Sequence, residues 1–286
     1  MQEILEVLQD TAIDTIKLLP FLFITYLIME YIEHKTSNKV KDVIKKSGKF
    51  GPLLGAIVGV FPQCGFSVSA TNLYAGRVIT LGTLISVYLA TSDEMLPILL
   101  TEAVPAGTIF TILGIKLVLG MVAGFIIDFV IRMFRKEKVE EQEEKIEEIC
   151  EHEHCHCEEG IVTSAIKHTL NITIFIFFIT LVLNGIIAYI GEDTIAHFIS
   201  KNVILGPIVA GLIGLIPNCA SSVILTELFI SNVISMPVLI SGVAVNAGVG
   251  LLVLFKTNKN VKENIKIVGI LYLIGVLAGI ILELFL

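Results

Sequence analysis

The sequence predicts an all-α polytopic membrane protein built as two inverted-topology repeats, with about ten helical elements. Hydrophobic residues make up 55% of the 286-residue chain and charged residues only 16%, whereas a soluble domain carries about 25% charged residues. Several apolar runs approach the roughly 20 residues that cross a bilayer. In addition, motifs of the first half recur in the second half at a constant spacing.

The first predicted repeat, residues 1–133, contains four apolar runs. They cover about 12–32, 51–75, 79–100 and 108–133. The second run is interrupted at Pro62, and residues 51–100 are too few for three full crossings of about 20 residues each. We therefore expect 51–75 to form a broken or re-entrant helical hairpin with Pro62 near its tip, followed by one spanning helix over 79–100.

Residues 134–165 are predicted to be a charged cytoplasmic linker. A run of acidic residues is followed there by alternating cysteines and histidines, and the net charge of −7 comes largely from this segment. The apolar pattern then restarts. Residues 166–286 are expected to form the second transmembrane repeat, in which 206–255 mirrors 51–100.

The repeat has a constant offset of 155 residues without a gap. Two polar motifs inside apolar runs carry it, Pro62-Gln63-Cys64-Gly65 and Pro217-Asn218-Cys219-Ala220. Each motif is followed at the same distance by a serine, Ser67 or Ser222. Matching polar breaks in the two halves of a membrane protein are the strongest sequence indication of a transport site.

Lysine placement orients the two halves. Loop 33–50 is rich in lysine but its partner 191–205 is not, and loop 256–266 is basic but its partner 101–106 is not. Short loops rich in Lys and Arg stay in the cytoplasm. Corresponding loops are therefore predicted to face opposite sides of the membrane, which defines an inverted-topology repeat.

An inverted pair of hairpins would bring the two tips together near the membrane midplane. Non-helical backbone at this depth is tolerated where it is buried in protein or lines a cavity. Cys64 and Cys219 would supply thiols as metal ligands, which suit soft metal ions and trivalent arsenicals. Alternatively, the prolines are packing kinks and the cysteines small buried hydrophobes. The predicted substrate-binding residues of the tips are Pro62, Gln63, Cys64, Ser67, Pro217, Asn218, Cys219 and Ser222.

Acidic side chains inside an apolar run form a second candidate group. Asp93 and Glu94 lie within 79–100, and Asn246 lies in the matching segment of the second half. Acids in a spanning segment are expensive and usually functional, so all three residues are predicted to bind substrate, with Asp93 also a metal ligand. Alternatively, the helix ends early and the acids are interfacial. Lys116, a lone lysine in an apolar run, is interpreted as snorkelling to the interface.

The linker contains three cysteines and three histidines, which predict metal capture. Their tight spacing does not match a folded zinc finger. A regulatory metal site and a tether that binds metal adventitiously both stay open. The residues are Cys150, His152, His154, Cys155, His156 and Cys157.

Several function classes are not expected. The sequence has no Walker loop, no Ser-His-Asp set and no zincin motif, and it has no basic stripe and no tryptophan. We therefore do not predict an enzyme, an ATP-driven pump or a nucleic-acid-binding protein. No cofactor is predicted apart from a transported or regulatory metal ion.

The chain resembles a family of ten-helix heavy-metal exporters. The resemblance rests on the Pro-Gln-Cys and Pro-Asn-Cys motifs, which lie in two inverted halves with about ten helical elements in all, around a His-rich central loop. Members are described variously as arsenic efflux permease-like proteins or manganese transporters. The resemblance covers about residues 11–286. It implies efflux of a metal or metalloid across the prokaryotic plasma (inner) membrane, and it does not settle which ion is carried.

The leading hypothesis is a secondary-active exporter of a thiophilic metal or metalloid ion that works by proton exchange and alternating access. The second is a permease for a small organic solute or anion, in which helix N-termini bind negative charge. The third is a metal-sensing membrane protein. The expected partners are the lipid bilayer and the ion, and a homo-oligomer is an alternative to a monomer.

Overall fold

A computed structural model describes residues 50–62, 64–134, 161–190 and 204–285, and scattered positions between 8 and 27 that are helical. No strand occurs in these ranges, so the prediction of an all-α protein is confirmed for the described part. The remaining helices are α1 (Gly51–Gly59), α2 (Cys64–Ala75), α3 (Leu81–Ala90), α4 (Met95–Thr101), α5 (Ala106–Phe134), α6 (Ile161–Ile190), α7 (Leu205–Gly214), α8 (Cys219–Ile230), α9 (Met236–Val245), α10 (Gly250–Thr257) and α11 (Val261–Phe285).

Five stretches of the described chain are long and apolar enough to cross a bilayer. They are Leu81–Thr101, Ala106–Met133, Ala165–Val182, Met236–Thr257 and Val261–Phe285. Large apolar side chains on them, such as Phe110, Phe129 and Leu284, are exposed. Apolar surface turned outward along long helices is the pattern of an integral membrane protein.

Two of these five stretches are broken helices. The helix pairs α3–α4 and α9–α10 are interrupted at 91–94 and 246–249. The sequence predicts a single helix over 79–100, and the structure differs because Asp93 adopts a left-handed φ of 30°. Gly248, at the equivalent position of the second half, has a φ of 53°. A residue in this region of φ cannot continue a right-handed helix.

The two halves of the structure correspond to each other at the same 155-residue offset as the two halves of the sequence. Helices α2 and α8 begin and end at equivalent residues, and so do α3 and α9. Side-chain contacts repeat as well. Ser86 donates a hydrogen bond to the Pro52 carbonyl at 2.5 Å, and Ser241 donates one to the Pro207 carbonyl at 2.8 Å.

The loop after α2 contacts two different helix ends. Thr80 Oγ1 donates a hydrogen bond to Asp128 Oδ2 at 2.7 Å, near the end of α5. Three residues earlier, an Arg77 guanidinium nitrogen donates to Glu263 Oε1 at 3.0 Å, at the start of α11. The end of α5 and the start of α11 therefore lie at the same end of the molecule.

The loop after α8 contacts the end of α11 and shares an apolar cluster with the start of α5. Ser235 Oγ donates a hydrogen bond to Glu283 Oε2 at 2.7 Å, near the end of α11. Ile234 shares an apolar cluster with Ile109, at the start of α5. The end of α11 and the start of α5 both border this cluster, because Leu282 also packs against it.

The break between α1 and α2 lies beside the far end of α3. A Cβ built on Gly51, the first residue of α1, would meet Thr83 near the start of α3. The Val60 carbonyl, in the break, accepts a hydrogen bond from Ser92 Oγ at 2.6 Å, just beyond the end of α3. Helix α2 then leads back to the loop that precedes α3. Both ends of segment 51–75 thus lie near the start of α3.

Candidate functional site

Polar side chains are buried where the two broken helices meet. Helices α3 and α9 pack against each other, and Tyr88 of α3 shares an apolar cluster with Ala244 and Ala247 at the end of α9. Asp93 is 3% exposed and Asn246 is 2% exposed. Irregular backbone and buried polar groups at this depth are the features expected of a site rather than of lipid-facing surface. We call this region the helix crossing.

A buried lysine of α5 enters the helix crossing. The side chain of Lys116 is fully buried and its Nζ donates a hydrogen bond to the Val243 carbonyl at 2.6 Å. It also interacts electrostatically with Asp93. Val243 lies in the last turn of α9, where carbonyls lack partners within the helix. One lysine side chain therefore satisfies a helix C-terminus and is attracted by a buried carboxylate.

The snorkelling interpretation of Lys116 is corrected by this contact. The residue lies ten positions into α5, which is about 15 Å from the start of the helix. Its ammonium turns inward to another helix instead of outward to an interface. The signal that could have found it was its position, because a lone lysine this deep in an apolar helix is a functional candidate by default.

Asn246 offers an unused hydrogen-bond donor at the helix crossing. Its Oδ1 accepts from the Gly248 N–H at 2.8 Å. Its Nδ2 is buried and has no hydrogen-bond partner among the described residues. An unsatisfied buried donor costs about 1–3 kcal/mol, and native proteins usually keep one only where a ligand or water uses it. The predicted binding role of Asn246 has this physical support.

Hydroxyl groups of the first half converge on the first residue of α10. Thr71 Oγ1 lies 2.5 Å from Tyr88 Oη, and the two oxygens lie 3.2 and 3.3 Å from the Gly250 carbonyl oxygen. A Cβ built on Gly250 would lie 3.1 Å from Oγ of Ser67, which is fully buried. At the 155-residue offset Tyr88 corresponds to Val243 and Gly250 to Met95, so the hydroxyl of Tyr88 has no equivalent in the second half.

Asn72, next to Thr71 on α2, is a second buried amide. It is 1% exposed, and neither its Oδ1 nor its Nδ2 has a hydrogen-bond partner in the described part of the chain. The equivalent residue of the second half, Glu227, is exposed. The amino-acid sequence does not distinguish the two positions, because hydropathy gives no sign of which one a neighbouring helix covers.

The first hairpin tip is only partly described. Pro62 is exposed, and Gln63 and the side chain of Cys64 lie outside the described residues. At the second tip, Asn218 is 1% exposed and its Oδ1 accepts from the Ala220 N–H at 3.4 Å, as the N-cap of α8. The approach of the two tips to each other stays a prediction.

The thiol of the second tip lies in apolar surroundings. Cys219 is 5% exposed and belongs to an apolar cluster with Val68, Val249 and Val253. Ser222 Oγ donates to the Cys219 carbonyl at 2.8 Å, so its proton is used within α8. Pro217, before the helix, is half-buried. The predicted ligand roles of these residues remain to be tested by substitution.

No group of three or more His, Cys, Asp or Glu side chains forms a metal site within the described ranges. Glu94, at the N-cap of α4, is half-buried and makes no side-chain capping hydrogen bond. Helix α6 begins at Ile161, inside the predicted linker 134–165. The linker metal site stays a prediction, because Cys150, His152, His154, Cys155, His156 and Cys157 lie outside the described residues.

An ionic cluster joins the two halves at one end of the molecule. Arg77 donates two hydrogen bonds to the Glu263 carboxylate, at 3.0 and 3.2 Å, and stacks over the Tyr74 ring at 5.3 Å. The Tyr74 hydroxyl donates to the same carboxylate. The hydrogen bonds from Arg77 to Glu263 raise the pKa of the guanidinium. The repeat-equivalent positions carry Phe229, Asn232 and Thr108.

The substitution Glu263→Gln is expected to lower the free energy of unfolding by about 1 kcal/mol, because the ion pair is partly exposed. Thermal unfolding in detergent measures this change. A double-mutant cycle with Arg77→Met isolates the pair, and Glu102→Gln, at an exposed carboxylate, serves as control. Additive effects of the two single substitutions would contradict a contribution from the ion pair.

Repeated halves with discontinuous helices, and a buried lysine of one half that contacts a broken helix of the other, are typical of membrane transport proteins. Comparison with known families narrows the class. The chain belongs to the family described as "Putative, 10TM heavy-metal exporter", whose model matches residues 2–190. The resemblance to ten-helix heavy-metal exporters is thereby confirmed, over a range that includes the first of the two Pro-x-Cys motifs. No curated protein and no solved structure matches the chain.

Proposed function

We propose that this protein exports a thiophilic metal or metalloid ion as a secondary-active transporter, by alternating access across a prokaryotic plasma membrane. The observation that carries the proposal is the buried pair of Asp93 and Lys116 where two broken helices meet. Charged groups inside a membrane mark ion pathways. The family assignment supports heavy-metal export as the direction and class of transport.

The two halves are proposed to be an inverted-topology repeat. Support comes from α5 and α11, which are equivalent helices. The end of α5 and the start of α11 both contact the loop after α2, through Asp128 and Glu263. The end of α11 contacts the loop after α8, through Glu283. Equivalent helices that run in opposite directions are what an axis in the membrane plane produces.

Segment 51–75 and its equivalent are proposed to be re-entrant hairpins. In the first, both ends lie near the start of α3 and the Val60 carbonyl reaches Ser92 beyond its end. Helix α2 packs against α10 and helix α8 packs against α4, so each hairpin contacts the broken helix of the other half. Movement of one half against the other would open these contacts alternately.

Proton exchange is the proposed driving force, with Asp93 and Glu94 as the carboxylates available for it. The orientation in the membrane is proposed from lysine content. Segments 33–50 and 256–266 are rich in lysine, which supports a cytoplasmic position for both segments. That orientation also puts the His/Cys linker in the cytoplasm. There it would bind metal as a regulatory site and would not form part of the transport path.

Soft-metal ligation by Cys64 and Cys219 is a separate part of the proposal, with its own test. Each single substitution, Cys64→Ser and Cys219→Ser, is expected to lower Cd²⁺ efflux from proteoliposomes at least tenfold and to leave Mn²⁺ efflux nearly unchanged. Thiolates prefer soft ions, whereas Mn²⁺ prefers oxygen ligands. A packing defect would lower both fluxes by the same factor. Unchanged Cd²⁺ flux in both variants would overturn sulfur ligation.

A permease for an anion is the second candidate function. The unused Nδ2 donor of Asn246 and the ammonium of Lys116 favour it, since both groups bind anions. Efflux of inorganic phosphate or a small carboxylate, with no metal flux in the same proteoliposomes, would favour this candidate over metal export. Metal flux without anion flux is the result that we expect.

A further inference from the structure

The Lys116 ammonium lies at a place suited to a bound cation. In transporters with broken helices, half-helix C-termini and unwound carbonyls coordinate the transported or coupling cation. Helix α9 ends at Val245, and the Val243 carbonyl in its last turn accepts from Lys116 Nζ at 2.6 Å. The partial negative charge of a helix C-terminus favours a cation at this point.

A buried carboxylate lies within electrostatic range of this ammonium. Asp93 is 3% exposed and acts electrostatically on Lys116. It adopts a left-handed φ of 30°, where its equivalent, Gly248, has 53°. An aspartate is less suited to that conformation than a glycine. A strained backbone under a buried charge is an indication of function.

Among the described helices, those that pack closely against α5 add no charged group. Helices α1 and α9 pack around α5 and carry no titratable side chain, and α3 carries Tyr88, whose hydroxyl bonds Thr71. The position equivalent to Lys116 is Leu271, fully buried in an apolar cluster. Among the described residues, this arrangement of a buried lysine and a carboxylate therefore occurs in only one of the two halves.

We propose that the Val243 carbonyl and the Asp93 carboxylate form a site for a divalent metal cation, which the Lys116 ammonium fills in this conformation and which an entering cation takes by displacing that side chain. The inference rests on the proposed transport of a cation through the helix crossing. Lys116 is then a specificity-determining residue. Two positive charges cannot share the site, so the entering metal ion replaces the ammonium. The site therefore holds one cation or the other.

Equilibrium binding of Mn²⁺ to the full-length protein in detergent tests the site, since Mn²⁺ prefers carboxylate and carbonyl oxygens. Electron paramagnetic resonance separates bound from unbound Mn²⁺. Lys116→Met removes the competing ammonium, and we expect the Kd to fall at least tenfold. Lys116→Arg keeps a competing cation and should stay within threefold of wild type. The double variant Asp93→Asn/Lys116→Met should lose the gain.

The equivalent position of the second half provides a matched control. Leu271→Met changes a buried side chain to methionine without changing charge, and its Kd for Mn²⁺ should equal that of wild type. An equal or higher Kd in Lys116→Met would overturn the proposal. So would the same fall in Leu271→Met, because it would indicate altered packing and not a displaced ammonium.

A measurement on the wild-type protein covers the case in which Lys116→Met does not fold. Reductive methylation of Lys116, followed by mass spectrometry, should rise severalfold when Mn²⁺ is added, because the displaced amine leaves the Val243 carbonyl. Unchanged methylation would overturn the proposal. Flux from proteoliposomes decides the proposed function separately. If the variants change Mn²⁺ binding but the protein transports no metal, only the proposed transport function is overturned. If the protein transports metal but the variants leave Mn²⁺ binding unchanged, only the role of Lys116 is overturned.

Discussion

The substitution Asp93→Asn is expected to abolish metal efflux and to lower the free energy of unfolding by about 3–5 kcal/mol. The Asp93 carboxylate is buried and acts on Lys116, which is 0% exposed. Asparagine has nearly the same shape but leaves the ammonium as an uncompensated charge inside the membrane. Efflux from proteoliposomes and thermal unfolding in detergent measure the two effects.

A second variant separates the stability effect from the loss of transport. Asp93→Asn/Lys116→Met removes both charges, and replacing a buried ion pair with apolar groups is often neutral for stability. We expect most of the stability to return while efflux stays absent. Glu102→Gln changes an exposed carboxylate and should alter neither property. Efflux at the wild-type rate in Asp93→Asn would contradict a place for this carboxylate in the transport path.

The parts of the fold that the sequence could predict depend on local chemistry. Proline at positions 62 and 217 lacks an N–H and interrupts a helix wherever it stands in the interior. Both breaks lie at the positions that the sequence predicts, and α2 and α8 begin at the cysteine of each motif. The repeat was visible because its proline, glycine and serine residues make contacts that recur in both halves, as Ser86 and Ser241 do.

The parts that the sequence could not predict depend on contacts between distant segments. Lys116 and Val243 are 127 residues apart in the chain, and nothing local to either one indicates that they meet. The break at 91–94 was hidden because the run remains apolar on both sides. Asn72 and Glu227 are equivalent in sequence, yet one is buried and the other exposed. Such differences arise only from how the two halves pack.

Close packing of α1, α3 and α5 leads to the second large expected effect. A Cβ built on Gly124 of α5 would lie 2.6 Å from the Gly82 carbonyl oxygen, 2.7 Å from the Pro52 Cβ and 3.0 Å from the Ser86 Cβ. Small residues at such points let membrane helices approach closely. Gly124→Ala should lower the free energy of unfolding by about 1–3 kcal/mol, and Gly124→Leu should yield no folded protein in membranes.

The same helix and the repeat supply the controls for this prediction. No atom lies within 4 Å of a Cβ built on Gly114, ten residues earlier on α5, so Gly114→Ala should raise stability by up to about 1 kcal/mol through helix propensity alone. Gly279 is the equivalent of Gly124, and its Cβ would lie 2.5 Å from the Ser241 Cβ. Gly279→Ala should therefore resemble Gly124→Ala. Equal stability of Gly114→Ala and Gly124→Ala in detergent would mean that the three helices are not packed as described.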